Sequence, residues 1–148
     1  MVGLVLALCS PGAALAHGPA GTYRWVGDDD APAGRRAELG PQVFAVWTPD
    51  LQATVSLSDP AGVGAVVEVQ PVAARSLPDG MHADGNAYAV SGAAAGALKL
   101  VVPHEATGAL RSVDGETWTA LPFEQAAGEV TVELAGDGLY VAVTDHDV

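Results

Sequence analysis

The chain has 148 residues, enough for one ordinary domain, and its 18 acidic against 6 basic residues give a formal charge of −12. A core of that size needs neither metal nor disulfide to fold. Its cations, Arg24, Arg35, Arg36, Arg75, Lys99 and Arg111, are scattered along so acidic a chain that no stripe follows a phosphate backbone, which excludes nucleic acid as a partner.

Residues 1–16 read as a signal peptide. Residues 2–16 carry no charge and end on Ala14-Leu15-Ala16, the small-x-small pattern that signal peptidase accepts. Pro11 and Gly12 break the run, which falls short of the roughly 20 apolar residues a membrane span needs. The basic residues that usually open such a leader are missing, because Met1 is followed by Val2 and Gly3. Cys9 follows Leu8, where a lipoprotein site wants a small residue. Cleavage after Ala16 removes this one cysteine, so disulfides, thiol catalysis and zinc–thiolate sites drop out of the remainder. The expected location is secreted, extracellular or at the cell envelope, with no membrane span left after cleavage.

Residues 17–42, rich in Gly, Pro and Asp, are expected to form an extended entry segment. Its one apolar patch, residues 23–26, is expected to pair as a first edge strand, and residues 28–34 to form a solvated loop.

Residues 43–148 carry the domain. Strand signals recur every ten to fifteen residues or so with turn residues between them, and no stretch of a dozen shows a helical period. The predicted fold is all-β, an antiparallel β-sandwich of about eight or nine short strands. In residues 52–57 the side chains of Ala53, Val55 and Leu57 alternate toward one face, as do Val130, Val132 and Leu134 in residues 129–134. Further strands are expected at 43–47, 65–70, 87–91, 97–102 and 138–144, the last so continuously apolar that it belongs in the middle of a sheet. A helical turn is expected near 124–127. Around Asp114-Gly115 a three-residue loop with Gly115 at positive φ is expected to set Leu110 opposite Trp118 and Arg111 opposite Thr117.

The runs ATVSLSDP, VVEVQPV, LPDGMHADGNAYAV, GALKLVVPHEATGALRSVDGETWTALP and EVTVELAGDGLYVAV follow one another in an order that resembles the ZU-type β-sandwich domain of zona occludens proteins, ankyrins and netrin receptors. Pro103 after a long strand, the Ser112 to Trp118 hairpin and the closing Gly138-Leu139-Tyr140 strand carry the likeness, over residues 43–144. The resemblance implies a sandwich that acts as a structural or partner-binding module without catalytic residues.

Candidate chemistry begins at His17. As a mature N-terminus its α-amine and Nδ1 would chelate Cu(II), and one more imidazole would complete a copper brace, as in small exported copper carriers with an N-terminal His. His82, His104 and His146 are the candidate third ligands; the plainer reading is four surface histidines in turns and tails. Asp28-Asp29-Asp30 is adjacent acid rather than the spaced oxygen set calcium requires, and Asp145-His146-Asp147 reads as a tail. Ser112 to Trp118 resembles the Asp-box hairpin of sialidase propellers with one residue missing and a single copy. No Gly-x-Ser-x-Gly, His-Glu-x-x-His, phosphate loop or dinucleotide fingerprint occurs, and Asp114 with Glu116 flank a tight turn rather than a cleft.

Of the aromatic residues, Tyr23 and Trp25 are the pair expected to contact a partner, on an edge that would accept an added strand. The function expected is a non-catalytic secreted or cell-surface structural or interaction module with no cofactor and an unknown protein or cell-wall partner. The alternative is an exported copper-binding protein built on His17 with His82 and His104.

Overall fold

Val- and Ala-rich runs cut by Gly, Pro and Asp fold as short strands, because β-branched side chains pack on a pleated surface and turn residues end each run. The computed structural model describes residues 23–27, 32–38, 45–57, 65–93 and 95–145. Among them every regular element is a strand: β1 (Arg35–Glu38), β2 (Ala45–Trp47), β3 (Ala53–Leu57), β4 (Val66–Val72), β5 (His82–Ala83), β6 (Ala87–Ser91), β7 (Gly96–Val101), β8 (Gly108–Ser112), β9 (Thr119–Ala120), β10 (Phe123–Ala126), β11 (Glu129–Glu133) and β12 (Gly138–Thr144). Two antiparallel sheets result, in the orders β1-β4-β6-β12-β8-β9, with β5 also on β12, and β10-β11-β7-β3-β2. The chain is an all-β sandwich, and no helix of the described residues is long and apolar enough to cross a membrane.

The core lies between the sheets. Val46, Val55, Leu98, Leu100, Val130 and Val132 from the five-stranded sheet meet Val67, Val69, Tyr88, Val90, Tyr140 and Ala142 from the seven-stranded one. The alternation read from the sequence holds: Ala53, Val55 and Leu57 are all buried, as are Val130, Val132 and Leu134. β12 does sit inside its sheet, between β6 and β8. Its Tyr140 and Ala142 belong to this core, while Val141 and Val143 join a second cluster with Ala87 and Leu110, against which Leu77 and Trp118 pack. The Trp118 indole Nε1 donates to the Arg75 carbonyl at 3.0 Å, tying the β4–β5 connection over that second cluster.

A tyrosine corner opens β12. The Tyr140 hydroxyl donates to the Gly136 carbonyl at 2.6 Å and accepts from the Ala135 N–H at 2.9 Å, so the turn before the strand is bonded to the strand itself. The Arg111 guanidinium stands 5.9 Å from the centre of that ring and donates to the Asp137 carbonyl at 2.7 Å.

Three local expectations are corrected. Residues 124–127 do not turn as a helix; β10 runs antiparallel to β11 through 124–126, and the chain reverses at 127–128. The edge position next to β4 is taken by Arg35–Glu38, and residues 23–26 form no strand. In the β8–β9 hairpin Leu110 faces Ala120 and Arg111 faces Thr119, two residues beyond the expected partners. The loop is longer because the Asp114 carboxylate fills it, accepting from the Glu116 and Thr117 N–H groups at 2.8 Å each. A slip of two residues preserves side-chain parity, so Leu110 and Trp118 still share a face. Gly115 has φ +81°, the left-handed conformation expected of it.

Candidate functional site

One end of the sandwich gathers buried polar groups from four separate stretches of sequence. The β2–β3 turn supplies the first. Thr48 Oγ1 donates to Asp50 Oδ1 at 2.7 Å, and the same carboxylate oxygen accepts the Gln52 N–H at 3.0 Å. This closes the turn tightly enough to hold Leu51 at φ +63°, a left-handed conformation that costs a branched residue roughly 1–2 kcal/mol. Gln52 is thereby set with its carboxamide in the interior, only 6% exposed.

The second stretch is the Asp84-Gly85-Asn86 turn between β5 and β6, where Asp84 and Asn86 are both buried. Gln52 and Asn86 together grip residues 23–26 by the main chain. Gln52 Oε1 accepts the Arg24 N–H at 2.7 Å and its Nε2 donates to the Arg24 carbonyl at 3.0 Å. Asn86 Nδ2 donates to that same carbonyl at 2.8 Å, and its Oδ1 accepts the Val26 N–H at 2.9 Å. Two side-chain amides thus take the place of a neighbouring strand, which is why residues 23–25 and the turn at Val26-Gly27 are held without joining a ladder.

Tyr23 anchors this strap. Its hydroxyl accepts the Asn86 N–H at 2.9 Å and hydrogen-bonds the hydroxyl of the buried Tyr88, to which Gln52 Nε2 also points at 3.4 Å. Burial holds both phenols above the usual tyrosine range, so both remain neutral donors and acceptors. Gly85 is required here twice over: its φ is +120°, and a Cβ would come within 2.7 Å of the Tyr23 oxygen. Trp25 packs edge-on against Tyr23, ring centres 5.1 Å apart at 64°.

Next to this grip lies the third group, an acid–imidazole pair. Asp84 Oδ1 accepts the His104 main-chain N–H at 3.0 Å and lies 3.3 Å from His104 Nδ1, whereas the imidazole itself is about half exposed. Asp84 Oδ2 is buried with no hydrogen-bond partner among the described residues. Burial pushes this carboxyl above the usual carboxylate range, against the pull of the His104 N–H and imidazole toward the charged form.

Tyr23 therefore meets Asn86 and Tyr88, and Trp25 packs on Tyr23. His104 joins Asp84, and His82 lies on β5 opposite Thr144. Among the described residues no three His, Cys, Asp or Glu side chains group as metal ligands. The leader 1–16, His17, Asp28 to Asp30, His146 and Asp147 lie outside the described residues. Sequence reading missed Gln52, Asp84 and Asn86. The available signal was a run of three polar or turn residues, Asp84 to Asn86, directly before an apolar strand.

At the hairpin, Asp114 is occupied as a turn acceptor from Ser112, Glu116 and Thr117. The Thr117 and Glu116 N–H groups hold its carboxyl below the usual range, so it is a committed anion and not a proton shuttle. No family model, no curated protein and no solved structure matches this chain.

Proposed function

We propose that this chain is a non-catalytic secreted or cell-surface β-sandwich module that acts through contact with a protein or cell-wall partner. One observation carries it: the most heavily built polar site grips a polypeptide main chain through Gln52 and Asn86, so its hydrogen-bonding groups bind backbone rather than face a substrate. The likeness of residues 43–144 to ZU-type domains supports the same reading. Val26 and Trp47, each more than a third exposed, give apolar surface on and beside the elements that build this end.

The test is photo-crosslinking from position 26 of the chain displayed on the cells that produce it. A discrete adduct that Trp25→Ala abolishes is the expected result. Turnover of a substrate by the purified chain overturns the proposal.

A second reading, an exported copper-binding protein, is favoured by a separate observation. Asp84 holds His104 by its Nδ1, the carboxylate–imidazole pairing that orients a metal-ligating histidine and leaves Nε2 for the metal. His17 stands six positions before Tyr23 in sequence, a reach of at most about 20 Å of extended chain. Copper titration decides it: His17→Ala and His104→Ala are each expected to weaken Cu(II) binding at least tenfold, and unchanged binding in both removes the reading.

A further inference from the structure

We propose that the groove lined by Gln52, Gly85, Asn86 and Tyr88 also accepts the Tyr23-bearing strap of a second copy of this chain, so that two copies exchange straps into a dimer. This rests on the reading of the chain as a contact module and names its occupant.

The groove recognises its ligand in a way that does not depend on the ligand being intramolecular. Four of its hydrogen bonds go to main-chain atoms of residues 24 and 26, which any extended segment presents. Selectivity comes from Tyr23, whose hydroxyl seats on the Asn86 N–H over the bare Cα of Gly85. The segment that satisfies both demands is carried by every copy.

The tether sets when exchange occurs. Between the strap and β1 the sequence runs only from Asp28 to Gly34, with three adjacent aspartates. A short tether still presents its own strap at a millimolar effective concentration, so a dilute chain closes on itself and a crowded one exchanges. Exchange makes the same contacts in trans and opens only the linker, so it costs little beyond association.

The experiment is a complementation on the purified full chain. Tyr23→Ala leaves a groove without its anchor, and Asn86→Ala leaves a strap without its groove. Each variant alone is expected to sediment as a monomer at about 100 µM, an order of magnitude below the tether's effective concentration. Their equimolar mixture is expected to give a 1:1 complex at least ten times more abundant than either self-dimer, and a peptide spanning residues 21–28 is expected to dissolve it. A mixture that stays monomeric while circular dichroism shows both variants folded overturns the proposal. If either variant unfolds, the pair Arg24→Pro and Gln52→Ala, which removes one strap donor and one groove amide, decides by the same two outcomes. No cell component is present, so a failed exchange leaves the crosslinking result untouched, and a failed crosslink with intact exchange overturns only the foreign partner.

Discussion

Two parts of this molecule use a side-chain oxygen to hold main-chain N–H groups, and they differ in how far the chain must travel to do so. In the β8–β9 hairpin Asp114 accepts from residues two and three positions ahead, and Gly115 donates to Ser112 Oγ at 2.8 Å. At the Tyr23 end Gln52 reaches across 28 positions and Asn86 across 60 and more. The hairpin bonds form with almost no loop to close, so they stand on local geometry alone. The strap bonds exist only once β3, β6 and their sheets are in place, and the Gln52 and Asn86 amides that make them are buried and lose their partners if the strap leaves. Damage to the first should stay local, and damage to the second should spread.

Gly85→Ala is the strongest way to test that contrast. It forces a side chain into φ +120° and pushes against the Tyr23 hydroxyl, and should cost roughly 3 kcal/mol in urea unfolding. Gly115→Ala, with only Leu139 near the added carbon, should cost about 1 kcal/mol. Equal losses at the two glycines would erase the distinction.

Asn86→Ala comes next, at roughly 2 kcal/mol, because it strands the Val26 N–H and one bond to the Arg24 carbonyl. Combined with Gln52→Ala the loss should be less than additive, since both amides hold the same residue. Strict additivity in the double-mutant cycle would show the strap to be held in independent pieces.

Asp84 and Asp114 sharpen the comparison through pH. Asp84 is raised by burial, so its contribution to stability is complete below the ordinary carboxylate pKa and is lost as pH rises through its folded value. Asp84→Asn keeps the acceptor for the His104 N–H and should therefore gain up to about 1 kcal/mol at pH 7, a gain that vanishes in acid. Asp114 is lowered, so its contribution is present above the ordinary value and is lost as pH falls through the folded one. Asp114→Ala should then lower the melting temperature slightly at pH 7 and not at all in strong acid. Melts across the acid range that move the two variants in the same direction would contradict both assignments.

What could be read from the residues divides along the same line. Residues 87–91 and 138–144 were legible as strands to the residue, and the inward sets of β3 and β11 to the side chain, because period-two burial is written in neighbouring positions. Gly115 was legible because a turn demands it. The register of that hairpin was missed by two residues, since the carboxylate that widens the loop acts through hydrogen bonds that spacing alone does not display. The grip of Gln52 and Asn86 was not legible at all. A polar side chain in a loop has the same spelling whether it faces water or a segment sixty residues away, and residues 23–26 read as a strand because Tyr23, Trp25 and Val26 are apolar and strand-forming. They join no ladder, and two amides rather than a sheet hold them.

The order of synthesis gives the position of β12 a kinetic meaning. Among the described residues β12 is the last of twelve strands in sequence, yet it alone joins β6 to β8. Without β12 the strands of the larger sheet pair only as β1-β4-β6 and β8-β9, each with an open edge, and β5 has no partner strand. Nascent chains of this protein therefore cannot complete that sheet before translation has passed the closing strand, and a deletion or stall there leaves unpaired backbone on both fragments.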